Sequence, residues 1–301
     1  MNYLKDYREG EKFVGTYLCK QKQILKTKAG KTYYSLTLQD KTGTADGKIW
    51  ELNNGIANFE PMDYIHCEGM VTSFQGNLQM NISRVRISDE GEYDPTDYVP
   101  CTNKDVGEMF SRILKYVASV QNKYLRKILE MYFVENKEFV DAFKKHSAAK
   151  SVHHGFMGGL LEHTLSVTDM CQYFAEHYPM IHRDLLITAA LFHDMGKIQE
   201  ISDFPMNDYT DDGQLLGHIY IGARCMENAA AQIPNFPPKL KNELVHCILA
   251  HHGKMEFGSP KVPAIMEAMA LHMADNADAK LQTLTEVFTQ AGDNMGWLGF
   301  N

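Results

Sequence analysis

From Phe13 to Ser88 apolar and polar residues alternate in short runs separated by turn residues. The runs are Phe13 to Cys19, Thr32 to Leu38, Thr44 to Trp50, Tyr64 to Val71 and Leu78 to Ile87. A period of two places successive side chains on opposite faces of an extended chain, so each run predicts a strand with one buried face. Ala29-Gly30, Asp40-Lys41-Thr42-Gly43 and Gln75-Gly76-Asn77 supply the turn chemistry between them. Five short strands in so little chain predict a small β-barrel.

The period is lost between Asp89 and Asn103, an acidic stretch with prolines at 95 and 100 that reads as a linker. Beyond Lys104 it returns as a helical one: Met109, Ile113, Val117 and Val120 recur every three or four residues, as do Ile219, Ala223, Met226 and Ala230. The expected fold is therefore multidomain α and β, with a barrel over residues 1–88, a linker over 89–103 and an all-α domain over 104–301. A chain of 301 residues has the length for two such cores.

Composition narrows the function classes. No stretch approaches the roughly 20 apolar residues of a membrane span, and the N-terminus lacks the apolar centre of a secretion signal. Cys19, Cys67, Cys101, Cys171, Cys225 and Cys247 are scattered singly, the pattern of reduced thiols in a cytoplasmic protein. A net charge of −8 speaks at first against a nucleic-acid partner. The charge is unevenly spread: residues 1–88 carry 12 Lys and Arg against 9 Asp and Glu, a net of +3, which leaves 18 against 29, a net of −11, for the rest.

The acidic part holds the candidate chemistry. Five segments each set a His or Asp at or near an apolar stripe: Leu160-Leu161-Glu162-His163, Leu191-Phe192-His193-Asp194-Met195-Gly196-Lys197, Gly217-His218-Ile219, Leu249-Ala250-His251-His252-Gly253 and His272-Met273-Ala274-Asp275. Burying such groups without partners costs several kcal/mol each, and a metal centre removes that cost. Imidazole with carboxylate suits two divalent ions, manganese first, with Co, Fe, Ni or Zn as alternatives. A carboxylate at Asp194 has two oxygens and can bridge two ions, and such a pair can polarise a phosphate and lower the pKa of a shared water. One histidine on an apolar face is more often a satisfied core residue, but several in this order point to a metal site.

With the stretch from Ser147 to Thr164 and the Ala250-His251-His252-Gly253 element, these motifs resemble the HD superfamily of phosphohydrolases. The strand spacing, including Leu38 to Trp50, resembles an OB-fold, and an OB-fold followed by an HD domain resembles the YhaM-type 3'-to-5' exoribonucleases. That resemblance implies that His163, His193, Asp194 and Asp275 hold one metal, and that Asp194 bridges to a second held by His218 and His251. His252 is then a ligand or a neighbour of one. The resemblance makes Asp194 and Lys197 the catalytic pair, Lys197 neutralising a phosphate oxygen, and places His153 and His154 at the substrate or behind the ligands. Against that resemblance, the end of the chain around Trp297 and Phe300 looks shorter than the family leads one to expect.

On the barrel, Lys20, Lys22, Tyr33, Tyr34, Trp50 and Phe74 form a candidate surface for single-stranded nucleic acid, lysines following phosphates and rings stacking on bases. The alternative is that the rings are barrel core and the lysines a solvated strand edge. The expected activity is 3'-to-5' hydrolysis of single-stranded RNA, and of single-stranded DNA since a two-metal site needs no 2'-hydroxyl, to nucleoside 5'-monophosphates. The rivals are an HD hydrolase of free nucleotides or cyclic dinucleotides, and a non-catalytic binding module. Gly253 to Pro260 lacks the Gly-Tyr-Pro element that cyclic-dinucleotide HD enzymes carry. The sequence leaves open how many chains assemble, a homo-oligomer included.

Overall fold

In a computed structural model of the chain, residues 3–150 and 154–291 are described. They form two compact units, divided between Pro100 and Cys101. His153, Trp297 and Phe300 lie outside the described residues.

The first unit is a closed barrel of β1 (Lys12–Lys26), β2 (Thr32–Asp40), β3 (Gly43–Ile49), β4 (Tyr64–Phe74) and β5 (Asn77–Ile87). The order around the barrel is β1-β2-β3-β5-β4, with β3 and β5 parallel and the other pairs antiparallel. This is the OB-fold. Inward residues such as Phe13, Tyr17, Leu36, Leu38, Ile65, Cys67 and Val71 fill the barrel. β1 runs past the expected end at Cys19 because a bulge between Cys19 and Gln21 shifts its register against β2, breaking the alternation while pairing continues to Lys26.

The expected linker does not leave the barrel at residue 88. Tyr93 stacks on Tyr64 with ring centroids 4.1 Å apart, and Tyr98 meets Tyr64 edge-on at 5.3 Å. The Lys41 backbone N–H donates to Asp97 O at 2.7 Å. Aromatic contacts and single hydrogen bonds have no period, so an irregular segment that packs looks in sequence like one that does not.

The second unit comprises α1 (Val106–Ser119), α2 (Lys123–Glu130), α3 (Lys137–Lys145), α4 (Gly159–His177), α5 (Arg183–Phe192), α6 (Lys197–Glu200), α7 (Asp211–Ala231), α8 (Pro238–Ala250) and α9 (Met266–Ala291). Side chains of Asp105, Asn122, Asn136 and Thr210 accept backbone N–H groups at the starts of α1, α2, α3 and α7, the usual task of such residues. Every residue of α5 from Leu185 to Phe192 is buried. A helix so largely buried after its charged first turn belongs at the centre, and α4, α8 and α9 pack around it. α7 is interrupted at Gly217, whose φ of 73° and ψ of 153° lie outside the helical region.

Candidate metal centre

His163, His193, Asp194, His218, His251, His252 and Asp275, drawn from α4, the end of α5, α7, the end of α8 and α9, converge on one place. Asp194 is buried and its two oxygens face different groups. Oδ2 lies 3.3 Å from His163 Nε2 and 3.5 Å from His193 Nε2, and Asp275 Oδ1 lies 3.2 Å from the same His163 nitrogen. Oδ1 lies 3.6 Å from His218 Nε2 and 3.5 Å from His251 Nε2. The ligand atoms of His163, His193 and Asp275 fall within 4.8 Å of one another, as do those of His218, His251 and His252.

One local device recurs around the cluster: each ring commits Nδ1 to an oxygen. His163 donates to Asp278 Oδ2 at 2.7 Å and His218 to Glu200 Oε1 at 2.9 Å. His193 donates to Ala190 O at 2.8 Å, His251 to Ile248 O at 2.6 Å and His252 to Phe257 O at 2.8 Å. Helix ends leave their last carbonyls without intrahelical donors, and the residues just after α5 and α8 use them. An Nδ1–H fixed in this way leaves a lone pair on Nε2, the atom that faces the cluster.

The donor set fits a pair of divalent ions. Both Asp194 oxygens, His218 Nε2 and His251 Nε2 are buried without a hydrogen-bond partner of good geometry among the described residues. The Lys197 ammonium meets Oδ2, but Oδ1 and the two imidazole nitrogens facing it have no hydrogen bond, a costly arrangement unless something cationic sits between them. Electrostatics agree. Burial disfavours the charged form of His163, yet the Asp194, Asp275 and Asp278 carboxylates outweigh it and hold its pKa well above the ordinary value. A field that binds a proton so strongly also attracts a metal ion. Burial pushes His193 down to about 4, and burial with the neighbouring His251 and His218 does the same to His252, so both stay neutral at working pH.

Lys197 Nζ lies 2.7 Å from Asp194 Oδ2. Burial pulls the Lys197 pKa down, but the Asp194 carboxylate overrides it and raises it, so the side chain is a permanent cation. The Lys197 side chain also lines a cavity of ≈400 Å³ with His163, His252, Phe257 and Asp275. Gly196, just before it, meets α7: a Cβ there would sit 2.1 Å from His218 O. No side chain fits at that contact, and the close approach brings His218 to Asp194.

A family model described as HD domain matches residues 160–280. The 3'-5' exoribonuclease YhaM of Bacillus subtilis (strain 168) is 32% identical over 85% of this chain and 81% of its own length. That of Listeria innocua is 32% identical over 94% of this chain and 90% of its own length. The chain belongs to the YhaM family. A solved structure, the second OB-fold domain of replication protein A from Methanococcus maripaludis, is 20% identical over 30% of this chain and 98% of that one, with a TM-score of 0.25.

Other expected site residues of this YhaM-family chain sit elsewhere. His154 is buried behind His163, its Nε2 donating to Asp278 Oδ2 at 2.9 Å, so it faces the ligand shell and not a substrate. Lys22 is tied down on the barrel, with Nζ 2.5 Å from Phe59 O and 4.4 Å from the Phe59 ring centroid, and Tyr34 packs edge-on against the same ring. Lys22 and Tyr34 thus stay half-exposed while packing on Phe59 of the barrel core, which is the core alternative for that ring. Lys20 is exposed, Tyr33 and Trp50 stack with centroids 4.6 Å apart, and Phe74 is 62% exposed.

Two residues went unassigned in the sequence. Asp278 accepts from His163, His154 and Ser166. Its signal was the spacing to Asp275, since residues three apart share a helix face. Glu200 accepts from both the His218 backbone N–H and its ring, each at 2.9 Å. No sequence pattern announces that contact, because it depends on the break at Gly217.

Proposed function

We propose that this YhaM-family chain is a metal-dependent 3'-to-5' exoribonuclease that shortens single-stranded RNA, and single-stranded DNA as well, to nucleoside 5'-monophosphates in the cytoplasm. The observation that carries the reading is the division of Asp194: one oxygen toward His163, His193 and Asp275, the other toward His218 and His251. Those groups would hold two divalent ions, manganese first among Mn, Co, Fe, Ni and Zn, with His252 beside the second set. When bound, the ions polarise the scissile phosphate and make a nearby water acidic.

The chain's own residues supply the rest. Lys197, cationic and lining the cavity, offsets charge on a phosphate oxygen as it builds. Asp278 and Glu200 hold the rings of His163 and His218 in the orientation and tautomer that binding needs. Water attack on phosphorus that expels the 3'-oxygen leaves the phosphate on the departing nucleoside as a 5'-monophosphate. No group of the cluster calls on a 2'-hydroxyl, which extends the reading to DNA. The stacked Tyr33 and Trp50, with Lys20 and Phe74, give the barrel a surface for a single strand. The free state of all six cysteines suits a reducing compartment.

The test is chromatography of products from 5'-labelled RNA and DNA oligomers, a mononucleotide panel and a cyclic dinucleotide, each with manganese. Stepwise loss of 5'-monophosphates from the oligomers is expected. Products with 2',3'-cyclic phosphates, or turnover of the small substrates alone, would overturn the reading.

A further inference from the structure

Phe257 lines the same cavity as Lys197, His252 and Asp275, and its ring is 56% exposed. A single exposed phenylalanine on a protein surface is ordinary. This one stands among cationic, anionic and imidazole groups, and among the described residues lining the cavity it is the only aromatic one besides histidine. Its backbone is fixed on several sides. The N–H donates to Lys254 O at 3.1 Å, and the next two residues bond back to Met255 O at 3.0 Å and Lys254 O at 3.2 Å. The Phe257 carbonyl accepts from His252 Nδ1 at 2.8 Å, so the loop that orients a candidate ligand also presents the ring. Lys254 Nζ lies 5.2 Å from the ring centroid, a cation–π contact that further restrains it.

Resting on the exoribonuclease reading above, we infer that Phe257 is the stacking platform for the base of the nucleotide being removed. An enzyme that consumes a strand one residue at a time must hold every base in turn. A hydrogen-bonding wall would favour one base, whereas a ring face accepts all four. The cavity of ≈400 Å³ lies within the roughly 300–1,000 Å³ of small-molecule sites and suits one nucleotide. With the phosphate beside Lys197, the base of the same nucleotide shares a cavity in which Phe257 is the aromatic wall. The ring contributes position and not chemistry, so its loss weakens the hold on the nucleotide and leaves the metal ligands in place.

The test uses the full chain loaded with zinc, which is diamagnetic and does not quench fluorescence. The probes are the product analogue 2-aminopurine riboside 5'-monophosphate and ribose 5-phosphate, each followed by calorimetry and the first also by its emission. Phe257→Ala keeps the backbone carbonyl that orients His252. It should bind the nucleotide roughly 5- to 150-fold more weakly than wild type, bind ribose 5-phosphate equally well, and leave 2-aminopurine emission unquenched. Phe257→Tyr should restore affinity and quenching, and Phe257→Leu should restore neither. Equal nucleotide affinity in wild type and Phe257→Ala, no nucleotide binding by wild type, or the same loss for both ligands would each overturn the inference. RNA cleavage by the wild type is measured alongside, and its absence counts against the exoribonuclease reading alone.

Discussion

Asp278 lies behind His163, in a third His-and-carboxylate group with His154 and outside the two sets that face Asp194, yet its removal should be felt at those sets. Its carboxylate accepts from His163 Nδ1 at 2.7 Å and His154 Nε2 at 2.9 Å, and from the Ser166 hydroxyl on its other oxygen. Burial opposes its charge, but hydrogen bonds from His154 and His163 hold its pKa far below the carboxylate range, so it is an anion at every working pH. Asp278→Ala frees the His163 ring to turn and to change tautomer. Loss of such a supporting partner commonly costs 10- to 100-fold in metal affinity, about 1.4 to 2.8 kcal/mol. Asp278→Asn keeps an oxygen for the two rings and lets its amide donate to Ser166, removing only the charge, so its loss should be the smaller. Metal-depleted proteins titrated against a chelating dye give the dissociation constants, and thermal unfolding gives stability. Because Asp278→Ala also leaves the buried His154 ring without its acceptor, a stability loss of about 1–3 kcal/mol is expected in any case. If that loss appears with a metal dissociation constant within two-fold of wild type, the orienting role is refuted.

Asp194→Ala should lower turnover by at least about a thousand-fold while circular dichroism stays helical, and a folded, metal-poor variant with wild-type rates would sink the bridging assignment. Gly196→Ala must push His218 O, and α7 with it, away from residue 196 and should cost about a hundred-fold in rate; an unchanged rate would mean that His218 need not sit where it does. Trp50→Ala in the full chain, assayed by equilibrium binding to a 20-nucleotide RNA with chelator present, should weaken binding by roughly 5- to 150-fold, and equal affinity would remove the barrel from RNA capture. Burial pushes the Cys19 thiol up to about 12, so at pH 8 Ellman's reagent should reach it only after denaturation, and rapid native labelling would contradict the packing.

The features legible in the sequence were those with a period or a motif. Five strands and the helical second unit follow from apolar spacing, and the residues that converge around Asp194 from histidines and aspartates set in apolar text. What escaped depends on contacts without a period. The Tyr64, Tyr93 and Tyr98 cluster ties the expected linker to the barrel, and Phe59 gathers in Lys22 and Tyr34. α5 shows no amphipathic stripe because it has no solvent face. Glu200 carries no sequence signal, and Asp278 only its spacing to Asp275, for another reason. A carboxylate beneath a ligand is chosen by three-dimensional proximity, and many acids in this chain have similar neighbours in sequence.

That the cluster draws on α4, α5, α7, α8 and α9 also bears on how the second unit stays folded. Its candidate ligands run from residue 163 to residue 275, so bound ions would act as cross-links between distant parts of the chain, closing loops that the unfolded protein leaves open. Ions that bind the folded form alone stabilise it by mass action, by about 2.7 kcal/mol for each site held at a hundred times its dissociation constant. Without them, the same helices must keep Asp194, His218 and His251 together against their own desolvation. With ions bound at that cluster, the melting temperature of this unit would rise with free metal.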